Sequence, residues 1–160
     1  MRRCRVLVAS LFLFAAAATE TSAQQKVVMP DAEKIVLLVR NTLITLNDAI
    51  QTGNFTVLRD RGAPGFREAN SAGRLSQIFS DLTSRGVDLS VVSVVTPQLT
   101  QSPILDQEKG TLNIKGYFPA PPVHIDFELL YQSVGGRWRL FGVSVQVPKG
   151  NANLGRVPEQ

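Results

Sequence analysis

His124, Asp126 and Glu128 alternate through the stretch from Val123 to Glu128, so an extended chain there would project all three side chains from one face. An imidazole with two carboxylates is a set from which a general base, an orienting carboxylate and an acid can be assembled around one substrate. Within it, His124 and Asp126 are the pair an acid–base mechanism would use. The plainer reading competes with it: alternating polar residues also mark the solvent or subunit side of a strand whose other side is core.

Four aromatic residues are the candidates for lining a pocket. Tyr117, Phe127, Tyr131 and Trp138 combine ring area with, in three cases, a polar edge, which suits a partly apolar cavity for a small apolar or amphipathic ligand. Core packing is the competing role for Phe127 and Trp138. Arg40 and Asp48 lie eight residues apart, a spacing that puts both on a similar helix face without contact, and solvation is their ordinary fate. One histidine in the whole chain, with its one cysteine at Cys4, argues against a transition-metal site. A phosphate-cradling glycine loop and a Gly-x-Ser-x-Gly elbow are both missing from the sequence, and nothing calls for a cofactor.

These residues need elements to hold them. Asp31 can cap a helix whose apolar residues Ile35, Leu38, Val39, Leu43, Leu46, Ala49 and Ile50 fall on one face, with Gly53 to end it. Apolar Val36, Leu37 and Ile44 lie off that stripe and predict a central helix covered on more than one side. Asn54 is the cap expected for a short second helix through Phe55, Val57 and Leu58, stopped by a turn at Gly62-Ala63-Pro64-Gly65. A third helix is predicted from Asn70 or Ser71 through Leu75, Ile78, Phe79 and Leu82 to Arg85-Gly86.

From Val87 the hydrophobic period becomes two, which predicts strands over residues 89–96, 111–118, 123–133 and 137–147. The links are tight: a polar turn from Asp106 to Gly110, a proline-rich one from Pro119 to Pro122, and the hairpin signal Gly135-Gly136. Strands joined so closely run antiparallel. Pro97 and Pro103 restrict the stretch between them to a bent or edge segment.

With Gly135 and Gly136 at the hairpin tip, uninterrupted pairing sets Val134 opposite Arg137, Gln132 opposite Arg139, Leu130 opposite Phe141, Glu128 opposite Val143 and Asp126 opposite Val145. One face then carries Val123, Ile125, Phe127, Leu129, Tyr131, Trp138 and Leu140, the better core. The other sets Phe141, Val143 and Val145 beside His124, Asp126 and Glu128, and an apolar strip among acids suits a partly wet homodimer interface through the sheet.

The N-terminus bears on compartment. Arg2, Arg3 and Arg5 precede a stretch from Val6 to Ala18 that is apolar apart from Ser10, and Thr21-Ser22-Ala23 offers a small-residue cleavage site. That is the pattern of a secretory signal peptide, too short to span a membrane. The chain thus divides into a leader over 1–23, a linker over 24–30, one α+β domain over 31–147 and a flexible tail over 148–160. Export would be periplasmic in a Gram-negative source and to the medium otherwise. Loss of the leader leaves 14 basic and 12 acidic side chains, with no basic cluster to bind nucleic acid and no thiol to form a disulfide.

Helices first, then an antiparallel meander closing on Gly135-Gly136-Arg137-Trp138-Arg139-Leu140-Phe141-Gly142-Val143-Ser144-Val145, resembles the nuclear transport factor 2-like superfamily, also called cystatin-like. The Gly-Arg-Trp-Arg-Leu segment looks like the penultimate turn and final strand common in bacterial members, and the likeness runs from about Asp31 to Val147. It implies three helices packed on a curved four-strand antiparallel sheet in a cone, with a pocket between them. Some members use that pocket for isomerase, dehydratase, cyclase or hydrolase chemistry and others for binding or assembly. No catalytic set of the family matches position by position, so none is carried over. The expectation is an exported ligand-binding or assembly module that is not catalytic, with acid–base chemistry in the pocket as the alternative. As part of an envelope assembly, it would use the proline-rich turn or the tail as a contact.

Overall fold

The computed structural model describes residues 26–121 and 123–148; the expected leader and all of the expected tail beyond Pro148 lie outside the described residues. The fold is α+β. Five α-helices come first, α1 (Ala32–Thr52), α2 (Thr56–Asp60), α3 (Pro64–Ala69), α4 (Ala72–Ile78) and α5 (Ser80–Ser84), then a 3-10 turn at Ser90–Ser93. An antiparallel sheet follows, made of β1 (Gln98–Leu99), β2 (Ile104–Asp106), β3 (Thr111–Ala120), β4 (Val123–Val134) and β5 (Arg137–Gln146).

The long helix begins and ends where its sequence says it should. The Asp31 carboxylate accepts the backbone N–H of Lys34 at 2.7 Å, satisfying a donor that the first turn leaves without a partner, and Gly53 closes the helix at a φ of 70°. Ile35, Val39, Leu43, Leu46, Ala49 and Ile50 are buried, and Thr42 and Thr45 are buried with them. Leu37, however, is 52% exposed, so α1 is open along one flank and not wrapped as a central helix.

The remaining helices depart from the expected three. Pro64 starts α3 instead of only ending what precedes it, because a proline at the first helical position gives up an N–H that had no partner there anyway. The expected third helix is two, α4 and α5, meeting at Phe79, whose backbone (φ −96°, ψ 13°) leaves the helical region. Phe79 gains a packing contact from the break: its ring stacks parallel on Phe55, centroids 6.0 Å apart, an arrangement worth about 0.5–1.5 kcal/mol beyond its area. Asn54 is not the cap expected of it: Phe55 holds the N-cap position without a side-chain bond, and Asn54, one residue earlier, accepts the Thr56 N–H with its side-chain oxygen at 3.0 Å.

No strand forms over residues 89–96. The valines there favour one, but polar side chains bind this backbone to α1: Asn47 accepts the Leu89 N–H at 2.7 Å, and the Arg40 guanidinium donates to the carbonyls of Val92 and Val95 at 3.0 and 3.1 Å. The 3-10 turn is the conformation that reaches all three. Strand pairing resumes beyond Pro97, and the expected edge segment is β1 and β2, which pair one after the other with the same flank of β3.

The β4–β5 hairpin turns at Gly135 and Gly136, with φ of 57° and 73°, as a two-residue turn of that hand requires. Pairing follows the expected register from Val134↔Arg137 to Gln132↔Arg139 and continues to Tyr131↔Leu140, and then slips: Leu130 faces Gly142, Leu129 faces Val143 and Phe127 faces Val145. Phe141 is the extra residue of a β-bulge, which reverses the sidedness of everything beyond it. Val143 and Val145 consequently turn inward against the core, and Phe141 remains 37% exposed. The apolar strip expected on the outer face is not there, and with it goes the physical motive for a homodimer through that face.

Candidate functional site

The first candidate lies on the outer face of the sheet. Ile125, Phe127, Leu129 and Tyr131 fill the core, so alternation sends His124, Asp126 and Glu128 to the other side. His124 Nε2 and Asp126 Oδ2 are 3.1 Å apart, with side chains about half exposed. The Tyr117 ring and the imidazole pack at a steep angle with centroids 5.7 Å apart, and the Tyr117 hydroxyl donates to Gln98 Oε1 at 2.5 Å. Glu128 does not join the pair. It accepts from Asn113 Nδ2 at 3.1 Å and bridges to Lys115 at 3.3 Å, and these two neighbours, Asn113 first, hold its carboxyl below the usual carboxylate range.

The structure thus brings together two of the three residues of the acid–base set and places them in water. A groove of about 250 Å³ beside them is floored by Gly116 and Phe127 and flanked by Asp126, Lys115, Glu128 and Ser144. A half-exposed imidazole–carboxylate contact contributes little, and nothing here excludes water from a reacting centre.

The second candidate is a cleft between the open flank of α1, the end of α2 and the β4–β5 hairpin. Its inner part, about 90 Å³, is lined by Asn41, Thr42 and Thr45 of α1, by Leu58 and Arg61, and by Tyr131, Trp138 and Leu140 of the hairpin. It shares Leu38, Asn41 and Trp138 with an adjoining outer cleft of about 400 Å³ bordered by Lys34, Leu37 and Arg137. Of the four aromatic candidates, Tyr131 and Trp138 line this cleft. Phe127 is core, packed against Phe118 at 5.6 Å, and Tyr117 is on the outer face.

Hydrogen bonds in the cleft have a fixed direction. The Tyr131 hydroxyl donates to the carbonyl of Leu38 at 2.9 Å, and since a phenol has one proton, the 2.8 Å contact with Thr42 Oγ1 must be donated by the threonine. Thr45 donates to the Asn41 carbonyl at 2.7 Å and accepts from Arg61 Nη1 at 2.9 Å. Burial pushes the Tyr131 phenol well above its ordinary range, against the opposing pull of the Thr42 hydrogen bond and the nearby Arg61 charge.

Asn41, Thr42, Thr45 and Arg61 are functional candidates that sequence reading passed over. Their signal was two threonines three residues apart within the buried stripe of an otherwise apolar helix face, since a buried hydroxyl demands a partner. Arg40 and Asp48 do not belong to either site: Arg40 holds the 3-10 turn and Asp48 is exposed. Among the described residues no helix is long and apolar enough to cross a membrane, and no group of three or more histidine, cysteine or acidic side chains is placed to hold a metal ion.

Comparison of the chain with protein-family models, with curated proteins and with solved structures returned no match.

Proposed function

We propose that this protein is an exported small-ligand-binding module of the nuclear transport factor 2-like kind, whose ligand sits in the cleft between α1 and the β4–β5 hairpin. Export rests on the arginine-rich, apolar and small-residue segments of Met1 to Ala23. The family reading rests on the order of elements, helices before an antiparallel sheet, and on the Gly135 to Val145 segment.

One observation carries the binding reading: the cleft joins an aromatic wall, Trp138 and Tyr131, to hydrogen-bonding groups on Arg61, Thr45 and Asn41. A few placed polar groups in a partly apolar concavity are what a small-molecule site needs. The competing enzymatic reading would need a base in the pocket. The titratable side chains lining the inner cleft are Tyr131, which burial keeps protonated, and Arg61, which is always charged, while His124 and Asp126 lie on the far face of the sheet.

Native mass spectrometry of the protein purified from its own host tests this. The expected result is a retained small molecule that is lost from Asn41→Trp, a substitution that fills the cleft from an exposed position. The same empty mass for both proteins would overturn the reading.

A further inference from the structure

Building on the proposed ligand cleft, we infer that its ligand is a carboxylate with a short alkyl tail, the carboxylate held by Arg61 and the tail laid along Leu38, Leu37 and Trp138. In the inner cleft the hydroxyls of Tyr131 and Thr45 already donate to the carbonyls of Leu38 and Asn41, and Thr42 donates to Tyr131. None of the three has a proton left for a ligand. Donors still available, among the described residues, are the remaining N–H groups of Arg61, the Asn41 amide and the Trp138 indole N–H, so the cleft offers mostly donors.

Charge points the same way. Charged side chains along the inner and outer clefts are Lys34, Arg61 and Arg137, all cationic, and none forms an ion pair among the described residues. A cleft that presents three cations and no carboxylate selects an anion. The planar fork of Arg61, with Thr45 fixing one arm at 2.9 Å, matches a carboxylate in two parallel hydrogen bonds.

Size and polarity supply the tail. The inner cleft, about 90 Å³, is much smaller than the outer, about 400 Å³, and suits the headgroup rather than the tail. The rest of the ligand must leave past Trp138 into the outer cleft, where Leu37 is 52% exposed and Leu38 and Trp138 are half-buried. An alkyl chain there covers apolar surface that water otherwise wets.

Trp138 is the only tryptophan of the chain, so its fluorescence reports on the cleft directly. The purified protein is titrated with octanoate, octanol and octylammonium. Saturable binding of octanoate about tenfold or more tighter than octanol, with octylammonium weakest, is the expected result, and Arg61→Gln should bring octanoate to the level of octanol. Equal affinity for octanoate and octanol would overturn the carboxylate assignment and leave the cleft a ligand site. Failure of all three to move Trp138 emission would also overturn it, while the retained mass in the native spectrum decides the binding reading separately. The headgroup series on the unaltered protein decides the carboxylate assignment even if Arg61→Gln does not fold.

Discussion

The hydroxyl of Tyr131 on β4 donates to the carbonyl of Leu38 on α1 at 2.9 Å, joining sheet and helix across 93 residues of sequence. Leu38 is also a wall of the cleft, so one hydrogen bond sets how far the open flank of α1 stands from the hairpin. With the Thr42 hydroxyl donating to the same oxygen, the phenol is satisfied although it is almost wholly buried.

Tyr131→Phe removes that oxygen and leaves the Thr42 hydroxyl to find another acceptor. The expected loss is about 1–2 kcal/mol in urea unfolding at neutral pH, the scale of a buried hydrogen bond broken at one partner. The pH dependence is the sharper test. Burial raises the phenol above its ordinary value, so its contribution is fully present below about pH 10 and is lost as the pH rises from there through the folded value. Wild type should lose stability over that alkaline range more steeply than Tyr131→Phe; parallel curves would refute the assignment.

Gly116 on β3 has no room for a side chain. A Cβ there would overlap the Gln98 carbonyl oxygen of β1 and come within 2.9 Å of the Phe127 ring. Gly116→Ala should therefore destabilise by about 1–3 kcal/mol and loosen β1, read as faster amide exchange at Thr100, whose N–H donates to Lys115 at 3.1 Å. Unchanged melting and exchange would count against this packing.

The bulge at Phe141 makes opposite predictions for neighbours. Val143 faces inward opposite Leu129, so Val143→Ala should cost about 1–2 kcal/mol, whereas Ser144→Ala, on the outer face opposite Glu128, should stay within about 0.5 kcal/mol. Uninterrupted pairing would put Val143 on the outer face and make its truncation as mild as that of Ser144. Thermal unfolding of both variants distinguishes them.

His124→Ala tests whether the outer pair matters to the cleft. An exposed polar contact is worth at most about 0–1 kcal/mol even when both partners are charged, so stability should fall by no more than that, and octanoate binding should be unchanged because the pair lies across the sheet from Trp138. A severalfold loss of binding would tie the two faces together and revive a role for His124 in the site.

What could be read from the residues alone was what local chemistry decides. Asp31 and Gly53 bound α1, Gly135-Gly136 turns the hairpin, and simple alternation sends His124 and Asp126 outward. What could not be read depended on partners far along the chain. Val91, Val92, Val94 and Val95 favour a strand, but Asn47 and Arg40 on α1 claim the backbone around them. Phe141 looks like any strand residue; it lies beside Gly65 at the start of α3, and the parallel bridge of Gly62 to Leu140 brings that loop against β5 where the register slips. The site divided the same way. Tyr131 and Trp138 stand out by type, whereas Arg61 belongs to the cleft only because α2 delivers it to Thr45.

The pairing of β1 and β2 with the same flank of β3 bears on how the molecule behaves in a crowded solution. A long open strand is a template on which other chains can add. Here two short segments, with Pro97 ahead of the first and Pro103 between them, occupy that flank in place of one continuous strand. At the opposite margin the Gly62–Ala63 backbone bridges β5 at one point, where the Ala63 N–H donates to the Leu140 carbonyl at 2.7 Å. Among the described residues the β3 margin therefore offers a growing sheet no long, regular row of free donors and acceptors, a safeguard there against self-association by strand addition.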